Sequence, residues 1–350
     1  MGHYSAITGW GMKVPERVLT NADLERMVDT SDEWITSRTG IKERHVVSAG
    51  ETTSTLAIAA ARQALERAGL EGKDLDLIIV ATVCPDYRFP STANLVQHAL
   101  GAQCGSFDMQ AACSGFLYGV SVAHQFVANG GAKHALVIGV ETLSQIIDYQ
   151  DRATCVLFGD GAGAFVLSAS DEPGGLLGFT LGSDGAKPEL LYIPAGGSKE
   201  PLTEEGLREG KQWVHMQGGE VFKFATRIMG TAMEEALANA GMSSDEMDLF
   251  IPHQANLRII ESASKRLGVP TEKVFVNIER YGNTSAAAVP IALCEAVEQG
   301  RVLQGQHIGM VAFGAGLTWA AAVVKWTAPV VSGPTTTTST KEPASAAVQW

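Results

Sequence analysis

The feature that most constrains this chain is an order of strand-like and helical segments that occurs twice, at an offset of roughly 170 residues. In the first half, residues 75–83 (LDLIIVATV) and 134–140 read as buried strands and 106–109 as a short one. Residues 93–100 and 114–129 carry helical spacing. Strands alternating with helices predict an α/β chain with largely parallel sheets. In the second half, 247–252 resembles the start of the first run, 275–277 takes the place of 107–109, and 307–313 takes the place of 134–140. Two related halves, each with a sheet and helices, would hold a ligand site between them.

The same offset relates residues that can do chemistry. Cys113 follows the short strand of the first half, Asn283 lies in the corresponding loop of the second, and His253 follows the second half's first strand. Each stands after a strand, the end at which α/β proteins hold ligands. Cys113, within Gln110-Ala-Ala-Cys-Ser-Gly-Phe116, precedes a helical pattern. Unpaired N–H groups and the helix dipole there favour a thiolate. A small core cysteine at a tight turn is the other reading. His253, at a strand exit, is suited to proton exchange near neutrality or to a simple loop hydrogen bond. Asn283 sits in Gly-Asn-Thr-Ser before an Ala-rich helix, where capping explains Thr284 and Ser285. Its own amide is suited to stabilising an oxyanion.

Composition closes several other routes. The net charge is −12 with no Lys/Arg run, which argues against nucleic acid and anionic membranes as partners. Five cysteines occur without a C-x-x-C pair, and the eight histidines are scattered, so neither a zinc site nor a disulfide framework is expected. Gly159-Asp-Gly-Ala-Gly163 does not fit a dinucleotide-binding loop, and no Walker A or G-x-S-x-G motif occurs. Phe313-Gly-Ala-Gly-Leu317 either brings backbone N–H groups to a ligand or turns between strands. The first residues lack a basic, then apolar, leader, and the apolar runs are too short to span a bilayer, so a cytoplasmic protein is expected. The Thr/Ser/Pro-rich stretch 327–350 reads as a disordered tail.

Taken together, DTSDEWITSRTGIKER (29–44), FPSTAN (89–94), AACSGF (111–116), DRATCVLFGDGAGA (151–164), LLYIPAGGS (190–198), IPHQANLRI (251–259), YGNTSAA (281–287) and FGAGLTW (313–319) resemble the β-ketoacyl-[acyl carrier protein] synthase III family. The resemblance runs over nearly all of 1–326 in family order. It implies the thiolase-like fold, an internally duplicated five-layer αβαβα architecture with one half at 1–170 and the other at 171–326, as a homodimer without cofactor or metal. It also implies a Cys113–His253–Asn283 triad that condenses an acyl-CoA primer, acetyl or short and branched, with malonyl-[acyl carrier protein] to begin fatty acid synthesis. By the same resemblance Trp34, Arg38 and Arg152 contact CoA, and Gly218, Phe222 and Asn256 line the pantetheine tunnel. Phe89 resembles the residue that reaches the acyl pocket of the partner subunit, and the N–H of Cys113 with one near Ala315 forms the oxyanion hole.

By the same resemblance, carrier-protein docking falls to Arg258, with Lys265 and Arg266 on the same segment. Lys265 follows Arg258 by nearly two helical turns, so the two share a face. Three other readings remain. One is a ketosynthase of a polyketide or other specialised pathway. A second is a hydroxymethylglutaryl-CoA synthase, for which no catalytic acid can be assigned. The third is a non-catalytic carrier-binding module. The Gly-Ala-Gly loop and the stretch 84–88 depart from the family pattern and bear on the acyl chain preferred.

Overall fold

The computed structural model describes residues 4–328, so most of the tail expected at 327–350 lies outside the described residues. Nine strands form one sheet: β1 (Tyr4–Lys13), β2 (Leu77–Ala81), β3 (Gly105–Met109), β4 (His134–Glu141), β5 (Gly161–Ser170), β6 (Gly175–Ser183), β7 (Leu249–Pro252), β8 (His307–Gly314) and β9 (Thr318–Lys325). Their order is β7-β8-β9-β6-β1-β5-β4-β2-β3.

Read outward from the β1–β6 join, which is a single parallel pairing of Ser5 with Gly175, the two sides match. On one side β1–β5 and β5–β4 are antiparallel, and β4–β2 and β2–β3 are parallel. On the other, β6–β9 and β9–β8 are antiparallel and β8–β7 is parallel. The repeat seen in the sequence is therefore a repeat of topology.

Two expectations are corrected. The sheet is mixed, not largely parallel. β8 and β9 are joined by a tight turn rather than a crossover helix, so they can pair only antiparallel. Residues 275–277 form no strand: one parallel bridge, Phe250 to Val274, and the Phe275 N–H donating to Phe250 O (2.9 Å) stand where the first half has β3.

The helices complete the layers. α2 (Thr53–Ala68) covers the outer face of β1, β5 and β4, and α5 (Gly218–Ala240) covers that of β6, β8 and β9. Between the two halves lie α4 (Gly115–Ala128) and α7 (Ala288–Glu298), each packed on strands of both. These central helices are apolar on nearly every side, as a helix between two sheets must be, and Phe116, Val120, Val289 and Leu293 form the middle of the core with both sheet halves. α2 is amphipathic, burying Leu56, Ala57, Ala60, Ala61 and Ala64. α1 (Asp32–Thr39), α3 (Thr92–Leu100) and α6 (Leu257–Leu267) lie at the periphery. Among the described residues no helix is long and apolar enough to cross a membrane.

Candidate active site

The two central helices begin at the same end of the molecule, and the turns that precede them carry Cys113 and Asn283. Cys113 lies in a single 3-10 turn, Ala112–Ser114, that feeds α4. The end of β8 passes so close that a Cβ on Gly314 would lie 2.5 Å from the Cys113 nitrogen, which is why a glycine stands there. Ser114 Oγ and Thr318 Oγ1 are 2.8 Å apart and both reach Ala111 O, tying the cysteine turn to the β8–β9 hairpin. The Phe313–Leu317 loop is thus a turn between strands, and Ala315 within it lines a cavity beside Cys113.

His253 leaves β7 with its N–H donating to Val311 O (2.7 Å). Its ring lies edge-on to Phe313 at 5.7 Å, is fully buried, and neither ring nitrogen has a hydrogen-bond partner. Burial pushes its pKa down to about 3, so the imidazole is neutral. Asn283 is held by its backbone: its N–H donates to Leu157 O (2.8 Å) and its O accepts from Gly159 N–H (3.0 Å). Its Oδ1 accepts from Ser285 N–H (2.8 Å), so the group it can offer a ligand is the Nδ2 amide.

The structure brings these three together. Cys113, His253 and Asn283 line one cavity of about 180 Å³, together with Gly218, Phe222 and Asn256. Cys113 also lines a second cavity, of about 270 Å³, whose wall is mainly apolar: Val83, Leu143, Ile146, Phe158 and Val214. Phe158 and Leu191 border both spaces, so the thiol stands where they meet.

One expectation about the thiol changes. Burial pushes Cys113 up to about 12, with the Ser285 hydroxyl acting against the shift. The start of α4 acts in the same sense as Ser285, but the resting group is a thiol rather than a thiolate. The capping expectation changes too: neither Thr284 nor Ser285 caps with its side chain. The Ser285 hydroxyl instead donates to Glu141 Oε1 (3.0 Å). Glu141, at the end of β4, is fully buried, and its Oε2 accepts from Val83 N–H (3.0 Å) and Thr82 Oγ1 (3.1 Å). Burial raises it to about 7. Sequence reading missed both Glu141 and Ser285. The signal for Glu141 was a carboxylate closing the apolar run HALVIGVE.

The outlying candidates fall as follows. The guanidinium carbons of Arg38 and Arg152 lie 5.2 and 5.0 Å from the Trp34 ring centroid, and Arg152 also donates to Asp29 O (2.8 Å). Asn256 caps α6 through the Arg258 N–H (2.9 Å) and donates from Nδ2 to Arg38 O (2.9 Å). Arg258 and Lys265 are exposed, Arg258 above the Phe222 ring at 5.1 Å, whereas Arg266 is bound bidentately by Glu234 at 3.0 and 2.8 Å. Phe89 is 87% exposed and lines neither cavity. Among the described residues no cluster of three His, Cys, Asp or Glu could hold a metal.

Duplicated halves, paired central helices and a buried cysteine at their common end are the arrangement that the resemblance to the thiolase-like condensing enzymes implies. Comparison with known proteins specifies it further. The family model for 3-oxoacyl-[acyl-carrier-protein] synthase III matches residues 107–185, and the model for its C-terminal part matches 237–326. The β-ketoacyl-[acyl-carrier-protein] synthase III of a Roseiflexus species is 56% identical, over 94% of this chain and all of the relative. The solved 3-oxoacyl-[acyl-carrier-protein] synthase III of Aquifex aeolicus is 48% identical with a TM-score of 0.85, over 92% of this chain and 100% of that one. The priming β-ketosynthase of the R1128 polyketide biosynthetic pathway is 37% identical with a TM-score of 0.87, over 94% and 98%. The chain belongs to the β-ketoacyl-[acyl carrier protein] synthase III family, the condensing acyltransferases that initiate fatty acid biosynthesis.

Proposed function

We propose that the protein condenses an acyl-CoA primer with malonyl-[acyl carrier protein] through an acyl-Cys113 intermediate. The observation that carries this reading is the shared cavity of Cys113, His253 and Asn283, in which a neutral, fully buried imidazole keeps both nitrogens unpartnered. The Cys113 sulfur attacks the primer thioester, and CoA leaves as its thiolate. The malonyl thioester then loses carbon dioxide. Hydrogen bonds from the His253 ring N–H and Asn283 Nδ2 hold the enolate oxygen that develops. The enolate carbon attacks the acyl-Cys113 carbonyl, whose oxygen is held by the Cys113 N–H and one from the Ala315 turn, and the sulfur is released. Burial keeps the His253 imidazole neutral, and a neutral imidazole retains one ring N–H to donate.

The mainly apolar cavity of about 270 Å³ suits a short or branched acyl group on Cys113. Trp34, Arg38 and Arg152 form the CoA site, an indole with two guanidinium groups for base and phosphates. Gly218, Phe222 and Asn256 line the channel for the pantetheine arm. Arg258 and Lys265 offer the acidic carrier protein its positive charge. Arg266 contributes less, because Glu234 neutralises it. Exposed Tyr87 and Phe89, at 60% and 87%, with Phe107 on edge strand β3, support a homodimer. The division into halves at 1–170 and 171–326 follows the join between β1 and β6. A cytoplasmic location is in keeping with five free thiols among the described residues.

The test is intact-protein mass spectrometry after incubation with acetyl-, isobutyryl-, isovaleryl- and longer straight-chain acyl-CoA. A short or branched acyl adduct is expected on the wild type and none on Cys113→Ala. An adduct that survives Cys113→Ala would overturn the assignment. The likeness to a polyketide-priming enzyme favours a second reading, in a specialised pathway, and that reading wins if none of the CoA esters labels Cys113.

A further inference from the structure

The mechanism above needs a sulfur nucleophile, yet the resting Cys113 is a buried thiol. His253 is poorly placed to take that proton, because its surroundings penalise the imidazolium. A different acceptor lies behind the cysteine. Ser285 meets three groups: it lines the same cavity as Cys113, its hydroxyl donates to Glu141 Oε1 at 3.0 Å, and its N–H fixes Asn283 Oδ1. It does so from a left-handed backbone conformation, φ +49°, which residues other than glycine seldom adopt. A backbone strained to hold one hydroxyl between a thiol and a buried carboxylate points to a use for that hydroxyl.

We propose that Glu141 is the proton acceptor for Cys113, acting through Ser285. As the S–H bond breaks, its proton passes to Ser285 Oγ while the Ser285 proton passes to Glu141 Oε1, and the electron pair stays on sulfur as the nucleophile. The cavity's total charge is unchanged, so no new buried charge is created. When acyl transfer to the malonyl-derived carbon releases Cys113 as a thiolate, the proton returns along the same path. Glu141 touches no substrate and works through another residue, so it is a positioning and proton-holding residue.

The groups around the Glu141 carboxylate suit this task. Its partners are neutral: Thr82 Oγ1, Val83 N–H, Ser285 Oγ and the Cys84 thiol. The titratable groups facing it are the Cys84 and Cys113 thiols. Asp160, the other carboxylate acting on Cys84, is tied down by Val47 N–H, Ser144 N–H and Ser144 Oγ. Burial raises Glu141 to about 7 and Cys113 to about 12, so as pH passes neutrality Glu141 gives up its proton first and stands as a base while Cys113 keeps its own.

The inference rests on acylation of Cys113 as proposed above. The experiment follows iodoacetamide alkylation of Cys113 by mass from pH 5 to 10, with single-turnover acylation by acetyl-CoA, in wild type, Glu141→Gln, Glu141→Asp and Ser285→Ala. In the wild type, alkylation should show an inflection near neutral pH where the Cys113–Glu141 pair loses its first proton. In Glu141→Gln and Ser285→Ala that inflection should vanish, leaving one alkaline step, and acylation should slow about 100-fold, within the range of acid–base catalysis. Glu141→Asp should recover part of both. A wild-type inflection in either Glu141→Gln or Ser285→Ala would overturn the relay, as would its loss in His253→Ala while Glu141→Gln keeps it. Ser285→Ala carries the test should Glu141→Gln fail to fold. Failure of the acylation reading itself would show separately, as an acyl adduct that persists in Cys113→Ala.

Discussion

Burial acts in opposite directions on His253 and Glu141, and the difference is measurable as stability. His253 is lowered from 6.5 to about 3, so below pH 6.5 the unfolded chain binds a proton that the native state refuses. Its contribution is present above pH 6.5 and is lost as pH falls toward 3. Glu141 is raised from 4.5 to about 7, so between those values the native state binds the extra proton. Its contribution is present below pH 4.5 and is lost as pH rises through 7. The Tm of Glu141→Gln relative to wild type should therefore increase from pH 5 to pH 8, by the equivalent of ~3 kcal/mol at most. Calorimetry across that range checks it, and a pH-independent difference would contradict the buried carboxylate's titration. At this scale the sequence singled out Cys113, His253 and Asn283 as candidates from the turns that carry them, and the structure brings them to one cavity. Glu141 and Ser285 were hidden. A single carboxylate ending an apolar run, and a serine before a helix, have ordinary local explanations until β4 and the Asn283 turn are seen to meet.

At the scale of elements, β2, α3, β3, α4 and β4 were legible from their periodicity to within a residue or two at most ends, whereas β1, α1, α2 and β5 were not read from the sequence. The misreading at 275–277 has a physical cause: Phe-Val-Asn has the alternation of a short strand, but hydrogen bonding to β7 is limited to the Val274–Phe275 link, and Asn277 already turns into the short helix Ile278–Tyr281. The glycines of Gly159–Gly163 also acquire their meaning here. Gly163 faces α7 so closely that a Cβ would lie 2.6 Å from Pro290 Cβ, and the run serves helix–sheet packing rather than a phosphate. Gly163→Ala should overpack this contact and lower stability by about 1–3 kcal/mol, read as a lower Tm and denaturation midpoint. An unchanged midpoint would mean that α7 can shift away freely.

At the scale of the molecule, the channel mouth and the charge around it decide which partner is met. The chain carries a net charge of −12, and under the proposed function it receives an acidic carrier protein, so the exposed cations beside Phe222 matter more than the total. Arg258→Glu should raise KM for malonyl-[acyl carrier protein] about 10-fold and flatten its dependence on ionic strength, since the attraction that salt screens has been reversed. Steady-state kinetics at two or three salt concentrations test this. A KM that keeps its wild-type value and salt slope would move the docking surface elsewhere.

By itself the sequence determined the repeated α/β order, the family and the three turns that carry Cys113, His253 and Asn283. These depend on local spacing, turn chemistry and short motifs that one chain carries in linear order. Only the tertiary structure decided the state of those residues. Whether Cys113 is thiol or thiolate, whether His253 is charged, and which hydroxyl stands between Cys113 and Glu141 depend on dielectric and on partners up to 144 residues apart in sequence. Burial and long-range hydrogen bonds exist only once both halves have closed around the central helices.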